Sequence, residues 1–259
     1  MNRPSFPART LVVIPALNEA DCVRPTVLSW LRLGFQRIRV VDNGSTDSTA
    51  AVARELGAEV VTEPQRGYGA AAWRGVHESP ADCEYVLFSS ADGSDRLDPS
   101  DLAAWQTAID LGADLVLGDR TARAEARQHL KLIQRWGNWV QCTGIALGWG
   151  RRFRDMGSLR LIRRSALTRL RLRDRGFGWN IEMQVRVLEL KLHCVELPVG
   201  YFPRAAGVSK ISGNFVGSWR AGRGILQMLL QLAWLRRHPL AQFPGESNGQ
   251  AITPTGPVQ

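Results

Sequence analysis

Leu11-Val12-Val13-Ile14, followed by Pro15, is a run of apolar, mostly β-branched side chains that a proline ends. A run without polar alternation predicts a strand that is buried on both faces, as strands of parallel sheets are. Similar runs recur along the chain, and segments of helical periodicity separate them. They cover residues 38–41, 59–61, 85–88, 115–117, 160–162 and 195–199. This alternation predicts an α/β fold with a mostly parallel sheet flanked by helices, followed by a C-terminal amphipathic helical region.

Polar side chains follow three of the predicted strands at the point where each strand ends. Asn18 and Glu19 follow the first strand, Asp42 closes the second and Asp92 comes after the fourth. Ligands of open α/β sheets bind beyond the carboxyl ends of the strands, so we expect these side chains to share one site. A GxGxxG motif is absent, which disfavours a dinucleotide-dependent oxidoreductase.

Charge is distributed unevenly along the 259 residues. Residues 1–119 carry 10 basic and 17 acidic side chains, whereas residues 120–259 carry 23 basic and 7 acidic ones. The first part suits a metal cation, and the second suits an anion or an anionic surface. A basic face that meets only solvent is the alternative. The basic residues follow no nucleic-acid-binding motif, so no nucleic-acid partner is expected.

The cysteines and the hydropathy pattern bear on the compartment. The four cysteines, at positions 22, 83, 142 and 194, have neither the spacing of a zinc site nor that of a disulfide framework. Free thiols predict a cytoplasmic protein. No apolar segment has the position and length of a signal peptide, and none reaches the roughly 20 residues of a spanning helix. We therefore expect a cytoplasmic protein that can attach peripherally to the cytoplasmic face of the membrane.

The attachment is predicted in the C-terminal part of the chain. Large apolar residues recur there at helical spacing between residues 215 and 234, and arginines flank them. Such a helix suits an anionic membrane surface, and a helix packed on the core is the alternative. The predicted organisation is an extension at 1–9, one domain at 10–212, the amphipathic helix at 213–238 and a disordered tail at 239–259.

Seven short motifs occur in order along the chain. They are IPALNE at 14–19, VDNGSTD at 41–47, RGYGAA at 66–71, ADGSD at 91–95, RDMGSLR at 154–160, GWNIEMQ at 178–184 and RAAGVSK at 204–210. The series resembles the family-2 glycosyltransferases, which have the GT-A fold, over about residues 10–215. The last three motifs resemble the polyprenyl-phosphate branch of that family, which contains the dolichyl-phosphate mannose and glucose synthases.

The resemblance implies an inverting glycosyltransferase that uses a nucleotide-sugar donor. The implied reaction moves a hexose from UDP-glucose or GDP-mannose to a polyprenyl phosphate. Two alternatives stay open: the same donor class with a soluble hydroxyl acceptor, and a degenerate module that binds nucleotide-sugar without turnover.

The resemblance also implies the residues of the donor site. The donor-binding residues would be Pro15, Ala16, Asn18, Glu19, Asp42, Gly67, Gly69 and Asp92. Asp92 would be the main ligand of a Mg²⁺ or Mn²⁺ ion, with Ser94 and Asp95 as further candidates, because these ions prefer oxygen ligands and offset the charge of the leaving diphosphate. The chain departs from the family pattern twice: Ser90 replaces the first Asp of the usual Asp-x-Asp motif, and Tyr68 stands where Lys is common.

On the acceptor side, the resemblance implies a set of phosphate-binding residues. They would be Arg120, Arg160, Arg204, Ser209 and Lys210, and arginine is well suited to bidentate phosphate binding. Asp92, Asp155 and Arg160 are the candidate catalytic residues. A phosphate acceptor is already anionic near neutral pH and needs no general base. Asp155 is the candidate base if the acceptor is a hydroxyl.

Overall fold

A seven-stranded sheet forms the centre of the computed structural model, which describes residues 5–77, 79–204, 223 and 227–234. Its strands are β1 (Thr10–Ala16), β2 (Arg37–Asp42), β3 (Glu59–Thr62), β4 (Tyr85–Phe88), β6 (Leu115–Asp119), β7 (Arg160–Arg163) and β8 (Cys194–Pro198). They lie in the order β3-β2-β1-β4-β7-β6-β8. A separate pair consists of β5 (Asp95–Arg96) and β9 (Gly200–Tyr201).

All strands of the large sheet except β7 run in one direction. β1 is parallel to β2 and β4, β2 to β3, and β6 to β8, whereas β7 is antiparallel to both of its neighbours. The register places Ala16 opposite Asp42 and Val13 opposite Phe88. The predicted mostly parallel sheet is confirmed. The direction of β7 is not evident from the sequence, because a short buried strand has the same pattern in either direction.

Helices connect and flank the strands. They are α1 (Ala20–Arg32), α2 (Thr49–Glu55), α3 (Tyr68–Val76), α4 (Pro99–Asp110), α5 (Ala124–Arg127), α6 (Leu132–Trp149), α7 (Arg164–Leu170) and α8 (Trp179–Glu189). The sequence predicts one long helix from residue 128 to 148. The structure instead has the short α5, a break and then α6. Neither α5 nor α7 is predicted, because helices of four and seven residues carry too few turns to show a period.

The core consists of one apolar layer on each face of the sheet. Alternate residues of β1 enter different layers: Val12 and Ile14 pack with Trp30 on one face, and Leu11 and Val13 lie in the layer of the other face. Successive side chains of a strand point to opposite faces, so an uninterrupted apolar run is what a strand covered on both sides requires.

Gly75 allows α3 to lie directly on β1. A Cβ atom at this position would overlap Cγ1 of Val13 and would lie 3.0 Å from Cγ2 of Val41. A larger residue would therefore push α3 away from the sheet. The glycine thus sets the close packing of α3 on β1 near the C-terminal end of the helix.

Part of the predicted amphipathic helix lies within the described residues. Residues 227–234 are helical; Met228 and Leu232 are buried in the core, and Leu230 and Trp234 are exposed. This segment therefore packs against the domain, as the alternative interpretation expected. Apart from Arg223, residues 205–226 and 235–259 lie outside the described residues, and so do the predicted tail and the first four residues of the predicted extension.

No helix within the described residues is both long enough and apolar enough to cross a membrane.

Candidate active site

The ends of β1 and β2 are joined through their loops. Asn18, at the first loop, has a left-handed φ of 49°, a conformation that asparagine tolerates. Its Oδ1 accepts a hydrogen bond from the Thr46 N–H at 2.7 Å, and its own N–H donates to Oγ of Ser45 at 2.9 Å. The Asp42 carboxylate accepts from the Ser45 N–H at 2.9 Å. These hydrogen bonds hold the predicted residues Asn18 and Asp42 together at the edge of the sheet where β1 and β2 end.

Asn43 extends this edge to the next predicted motif. The side chain is buried; its amide donates to the carbonyls of Glu63 and Gln65, and its Oδ1 accepts from the Gly67 N–H at 2.9 Å. Asn43 belongs with Asp42 to the polar end of the second predicted strand, but no individual role for it follows from the sequence. Its position directly after a strand-ending aspartate is the signal that could have identified it as a positioning residue.

Gly67 and Gly69 lie against the backbone of a neighbouring loop. A Cβ atom on either glycine would overlap the backbone of residues 174–175. The N–H groups of Gly69 and Ala70 donate to the Gly176 and Arg175 carbonyls, both at 2.9 Å. The two glycines therefore make room for this loop of the protein, and their contact with the nucleotide stays a prediction.

Arg204 joins two of the predicted donor-site carboxylates. Its Nη1 donates to Oδ2 of Asp92 at 3.1 Å, and its Nη2 donates to Oε2 of Glu19. The side chains of all three residues are mostly buried. Burial lowers the pKa of Arg204, but the Glu19 hydrogen bond and the Asp92 charge outweigh it and raise the pKa above the ordinary value. The guanidinium is thus a permanent positive charge between the ends of β1 and β4.

Asp92 is the predicted metal-site carboxylate that most directly faces this cluster. Its Oδ1 accepts from the N–H and the hydroxyl of Ser94, at 3.0 and 2.6 Å. The Ser94 hydroxyl therefore orients Asp92, which differs from the predicted role of a metal ligand. Within the described residues, no group of three or more His, Cys, Asp or Glu side chains has the arrangement of a metal site. Asp92 fits an ion whose other ligands come from the substrate, since Mg²⁺ commonly takes one or two carboxylates and phosphate oxygens.

Asp95, the third predicted metal residue, has a different set of partners. Its carboxylate accepts from the Ser90 N–H at 2.8 Å and from the Ser158 hydroxyl at 2.8 and 3.0 Å. Burial raises the pKa of Asp95 above its ordinary value. These hydrogen bonds connect the end of β4 to the loop before β7. Asp95 thus links these two segments through hydrogen bonds, a position that differs from the predicted role of a metal ligand.

Asp155 and Arg120 form a buried bidentate ion pair. Nε of Arg120 lies 2.7 Å from Oδ2 of Asp155, and Nη2 lies 2.8 Å from Oδ1. The backbone N–H groups of Arg120 and Met156 also donate to the carboxylate, and the guanidinium lies 5.0 Å from the Tyr201 ring centroid.

The ion pair changes the predicted roles of both residues. Burial raises the pKa of Asp155, but the charge and the hydrogen bonds of Arg120 outweigh it and hold the pKa below the ordinary value. A carboxylate with four hydrogen bonds and a lowered pKa is a weak proton acceptor. The prediction of Asp155 as a general base is therefore not supported by its surroundings. Two of the five guanidinium N–H groups of Arg120 are directed to Asp155, so three are left for another partner such as a phosphate.

Arg160 lies inside the core rather than on the predicted acceptor surface. Its side chain is fully buried, and its guanidinium donates to the carbonyls of Gly157 and Asn180. Burial lowers the pKa of Arg160, and no carboxylate within the described residues pairs with it. Its Nε and the neighbouring Tyr68 hydroxyl have no hydrogen-bond partner within that part of the chain. Arg160 thus joins the 157 loop to α8, a position that differs from the predicted acceptor surface.

The remaining predicted site residues are placed as follows. Pro15 and Ala16 end β1 at the edge described above, with Ala16 accepting from the Asn43 N–H at 2.9 Å. Ser209 and Lys210 lie outside the described residues.

A mostly parallel sheet with carboxylates and a bridging arginine at its strand ends is the arrangement that the resemblance to the GT-A glycosyltransferases predicts. The family model for glycosyl transferase family 2 matches residues 11–171. A glycosyltransferase of Mycobacterium tuberculosis is 40% identical over 213 residues, which cover 80% of this chain and 91% of that relative. The chain therefore belongs to glycosyl transferase family 2 and is a glycosyltransferase.

Two further comparisons concern the branch and the fold. The polyprenol monophosphomannose synthase of Mycolicibacterium smegmatis is 30% identical over 228 residues, covering 80% of this chain and 82% of that relative. The glucosyl-3-phosphoglycerate synthase of Mycobacterium tuberculosis, solved in complex with Mn²⁺, UDP-glucose and phosphoglyceric acid, superimposes with a TM-score of 0.67 at 20% identity. The superposition covers 90% of this chain and 86% of that structure and confirms the GT-A fold.

Proposed function

We propose that this glycosyltransferase transfers a hexose from a nucleotide diphosphate sugar, UDP-glucose or GDP-mannose, to a polyprenyl phosphate, with inversion at the sugar. The observation that carries the proposal is the Asp155–Arg120 ion pair. A hydroxyl acceptor needs a base to take its proton, and the candidate base is committed to Arg120 with a lowered pKa. A phosphate oxygen is anionic near neutral pH and attacks without one. Similarity to a polyprenol monophosphomannose synthase supports the same acceptor class.

Asp92 would hold the divalent cation, Mg²⁺ or Mn²⁺, together with oxygens of the donor diphosphate. Its side chain stands at the end of β4, and Ser94 fixes its orientation. The bound ion would supply Lewis-acid stabilisation of the leaving nucleoside diphosphate. The complex of a GT-A relative with Mn²⁺ and UDP-glucose supports this assignment of chemistry.

Arg204 would contribute the second positive charge of the donor site. Its two terminal nitrogens face Asp92 and Glu19, the residues predicted to contact metal and nucleoside. A cation that binds Asp92 competes with the guanidinium for Oδ2. We expect Arg204 to turn from this oxygen to a phosphate oxygen, because arginine binds phosphate through two parallel hydrogen bonds. Ser209 and Lys210 stay proposed phosphate-binding residues.

A soluble phosphorylated acceptor is the second candidate. The solved relative with phosphoglyceric acid has an acceptor of that kind. Phosphate binding through arginine suits either acceptor, so the two candidates differ in the attacking group, which is a phosphate oxygen in one and a hydroxyl in the other, and in the hydrophobic part of the molecule. A polyprenyl phosphate lies in the bilayer and would place the protein peripherally on the cytoplasmic membrane face.

The experiment is a donor screen with the full chain, using radiolabelled UDP-glucose and GDP-mannose, Mn²⁺ or Mg²⁺, and polyprenyl phosphate in detergent. Label that partitions into the organic phase supports the proposal, and Asp92→Asn serves as the inactive control. A parallel reaction contains phosphoglyceric acid. Label found only in a water-soluble glycoside would overturn the lipid acceptor in favour of the soluble one.

A further inference from the structure

The outward face of α6 is apolar. Leu132, Trp136, Trp139 and Leu147 are 80%, 64%, 55% and 85% exposed. At 3.6 residues per turn these four side chains fall within an arc of about 80°. Cys142 and Ile145, on the other side of the helix, are buried in the core. A helix on a water-soluble domain usually presents polar residues outward, so this arrangement points to a partner.

Exposed arginines surround this face, which we call the α6 face (Leu132, Trp136, Trp139 and Leu147). Arg127, Arg135 and Arg152 are exposed and have no carboxylate partner within the described residues. Arg154 is 70% exposed and lies 4.0 Å from Asp119 at its nearest. The segment from residue 120 to 154 contains eight Lys or Arg residues and a single exposed acid, Glu125.

The arginines converge on a cavity at the edge of the α6 face. The cavity has a volume of about 350 Å³. Its lining combines four arginines with apolar side chains, namely Arg127, Arg135, Arg152, Arg154, Leu130, Trp139 and Phe153. Asn138, which also lines it, accepts from the Met156 N–H at 2.7 Å and donates to the Arg154 carbonyl at 3.1 Å. The cavity therefore adjoins the loop that carries Asp155.

We propose that the α6 face docks on an anionic phospholipid bilayer, with its apolar side chains inserted among the lipids and the surrounding arginines on lipid phosphates. Tryptophan favours the membrane–water interface, and each arginine near an anionic leaflet contributes to binding. This proposal deepens the proposed function, and it rests on that function only for the idea that the acceptor comes from the bilayer. A docked α6 face would hold the cavity and the active-site loop at the level of the lipid headgroups.

The charges favour a bilayer over a second copy of the chain. Self-association through the α6 face would bring several arginines of one copy against those of the other, and like charges across an interface are unfavourable. An anionic leaflet has the complementary charge. The occupant of the face is thus a lipid surface, and a dimer is the competing outcome.

The test is co-sedimentation of the full chain with two kinds of vesicle, phosphatidylcholine alone and phosphatidylcholine mixed with phosphatidylglycerol. We expect binding only to the anionic vesicles, weakening as salt is raised. Two triple variants probe the surface. Leu132→Gln, Trp136→Gln and Leu147→Gln remove its apolar side chains, and Arg127→Gln, Arg135→Gln and Arg152→Gln remove its charge. Each should weaken vesicle binding at least about tenfold.

Matched controls change exposed apolar residues and exposed arginines elsewhere on the surface. Leu31→Gln, Leu111→Gln and Leu190→Gln alter three exposed apolar residues, and Arg32→Gln, Arg54→Gln and Arg169→Gln remove three exposed charges. Both controls should bind anionic vesicles as the wild type does. Circular dichroism melting identifies any variant that is misfolded, and light scattering reports the oligomeric state.

Three results would overturn the docking proposal. They are absence of binding to anionic vesicles, α6-face variants that bind as tightly as their controls, and a wild-type dimer that the variants convert to monomer.

Transfer to a short, water-soluble polyprenyl phosphate without vesicles separates the two proposals. The apolar α6-face variant should keep this transfer. If wild-type protein binds anionic vesicles but transfers no sugar to this acceptor, the docking stands and the proposed function fails.

Discussion

Arg204 and Asp92 lie 112 residues apart in the chain, yet Nη1 of Arg204 donates a hydrogen bond to Oδ2 of Asp92 at 3.1 Å. The same guanidinium binds Glu19. The guanidinium offsets only part of the charge of the predicted donor site before any substrate enters, because one cation sits between two carboxylates and a net charge of 1 − 2 = −1 is left. When the donor binds, a metal ion would replace Arg204 as the partner of Asp92, and the diphosphate would become the new partner of Arg204.

Removing the guanidinium should make metal binding easier in the absence of donor. Arg204→Gln leaves Asp92 without a competing cation, and a partly exposed ion pair contributes up to about 1 kcal/mol, so Mn²⁺ should bind about two- to fivefold more tightly. Transfer activity should fall, since the phosphate loses its arginine. Titration of Mn²⁺ by electron paramagnetic resonance measures the affinity.

Arg204→Lys is the control for this change, because it keeps the positive charge but loses the paired N–H donors of the guanidinium. Its Mn²⁺ affinity should stay near that of the wild type. An Arg204→Gln protein with unchanged Mn²⁺ affinity would mean that the guanidinium and the metal do not share Asp92.

Asp92 and Asp95 should respond differently to the same substitution. Asp92→Asn should lower the transfer rate at least tenfold, a loss of about 1.4 kcal/mol in transition-state stabilisation, and should weaken Mn²⁺ binding. Asp95→Asn should leave Mn²⁺ affinity near the wild-type value but lower stability, because it disturbs the hydrogen bonds from Ser90 and Ser158. Equal losses of Mn²⁺ affinity in both variants would return Asp95 to the metal site.

The Asp155–Arg120 pair should contribute strongly to folding. Asp155→Asn would leave a mostly buried arginine without its counter-charge, which costs about 3–5 kcal/mol. For a domain of this size the melting temperature should fall by roughly 10 °C. Differential scanning calorimetry measures the change. Asp110→Asn, at an exposed position on α4, should have almost no effect, and a similarly small effect of Asp155→Asn would refute the structural role.

The pH dependence of that contribution follows from the lowered pKa of Asp155. A carboxyl group whose folded-state pKa is below its unfolded-state value stabilises the fold at pH above the unfolded value. That stabilisation disappears as the pH falls through the folded value. The difference in unfolding free energy between wild type and Asp155→Asn should therefore be largest near neutral pH and should decrease as the pH is lowered. Urea titrations across this range provide the measurement, and a difference that grew in acid would contradict the sign.

The close approach of α3 and β1 can be tested with two glycines. Gly75→Ala would place a Cβ atom on Val13 and should destabilise the protein by about 1–3 kcal/mol. Gly148→Ala adds the same atom to α6 where nothing lies within 4 Å, and should stabilise by roughly 0.5–1 kcal/mol. Chemical denaturation of the two variants compares the effects. Equal changes in the unfolding free energy of the two variants would show that α3 can move away from the sheet without loss of stability.

The strands, most helices and the edge that carries the site were predictable from the sequence. Buried strands such as residues 11–14 have an unmistakable apolar run, and parallel strands end at a common edge. The polar residues after them, Glu19, Asp42 and Asp92 among them, could therefore be assigned to one site before any contact was known. Short elements such as α5 and α7 could not be predicted, because they lack a period.

The partners of the charged residues were decided by the tertiary structure. The resemblance gives Arg120, Arg160 and Arg204 the same predicted role in phosphate binding, but the fold pairs the first with Asp155, buries the second in the core and sets the third between Asp92 and Glu19. Local periodicity specifies which residues form an element and which face is apolar. Whether a distant carboxylate meets a given arginine depends on how the elements pack, and that packing determines which charges are neutralised and which are left for a substrate.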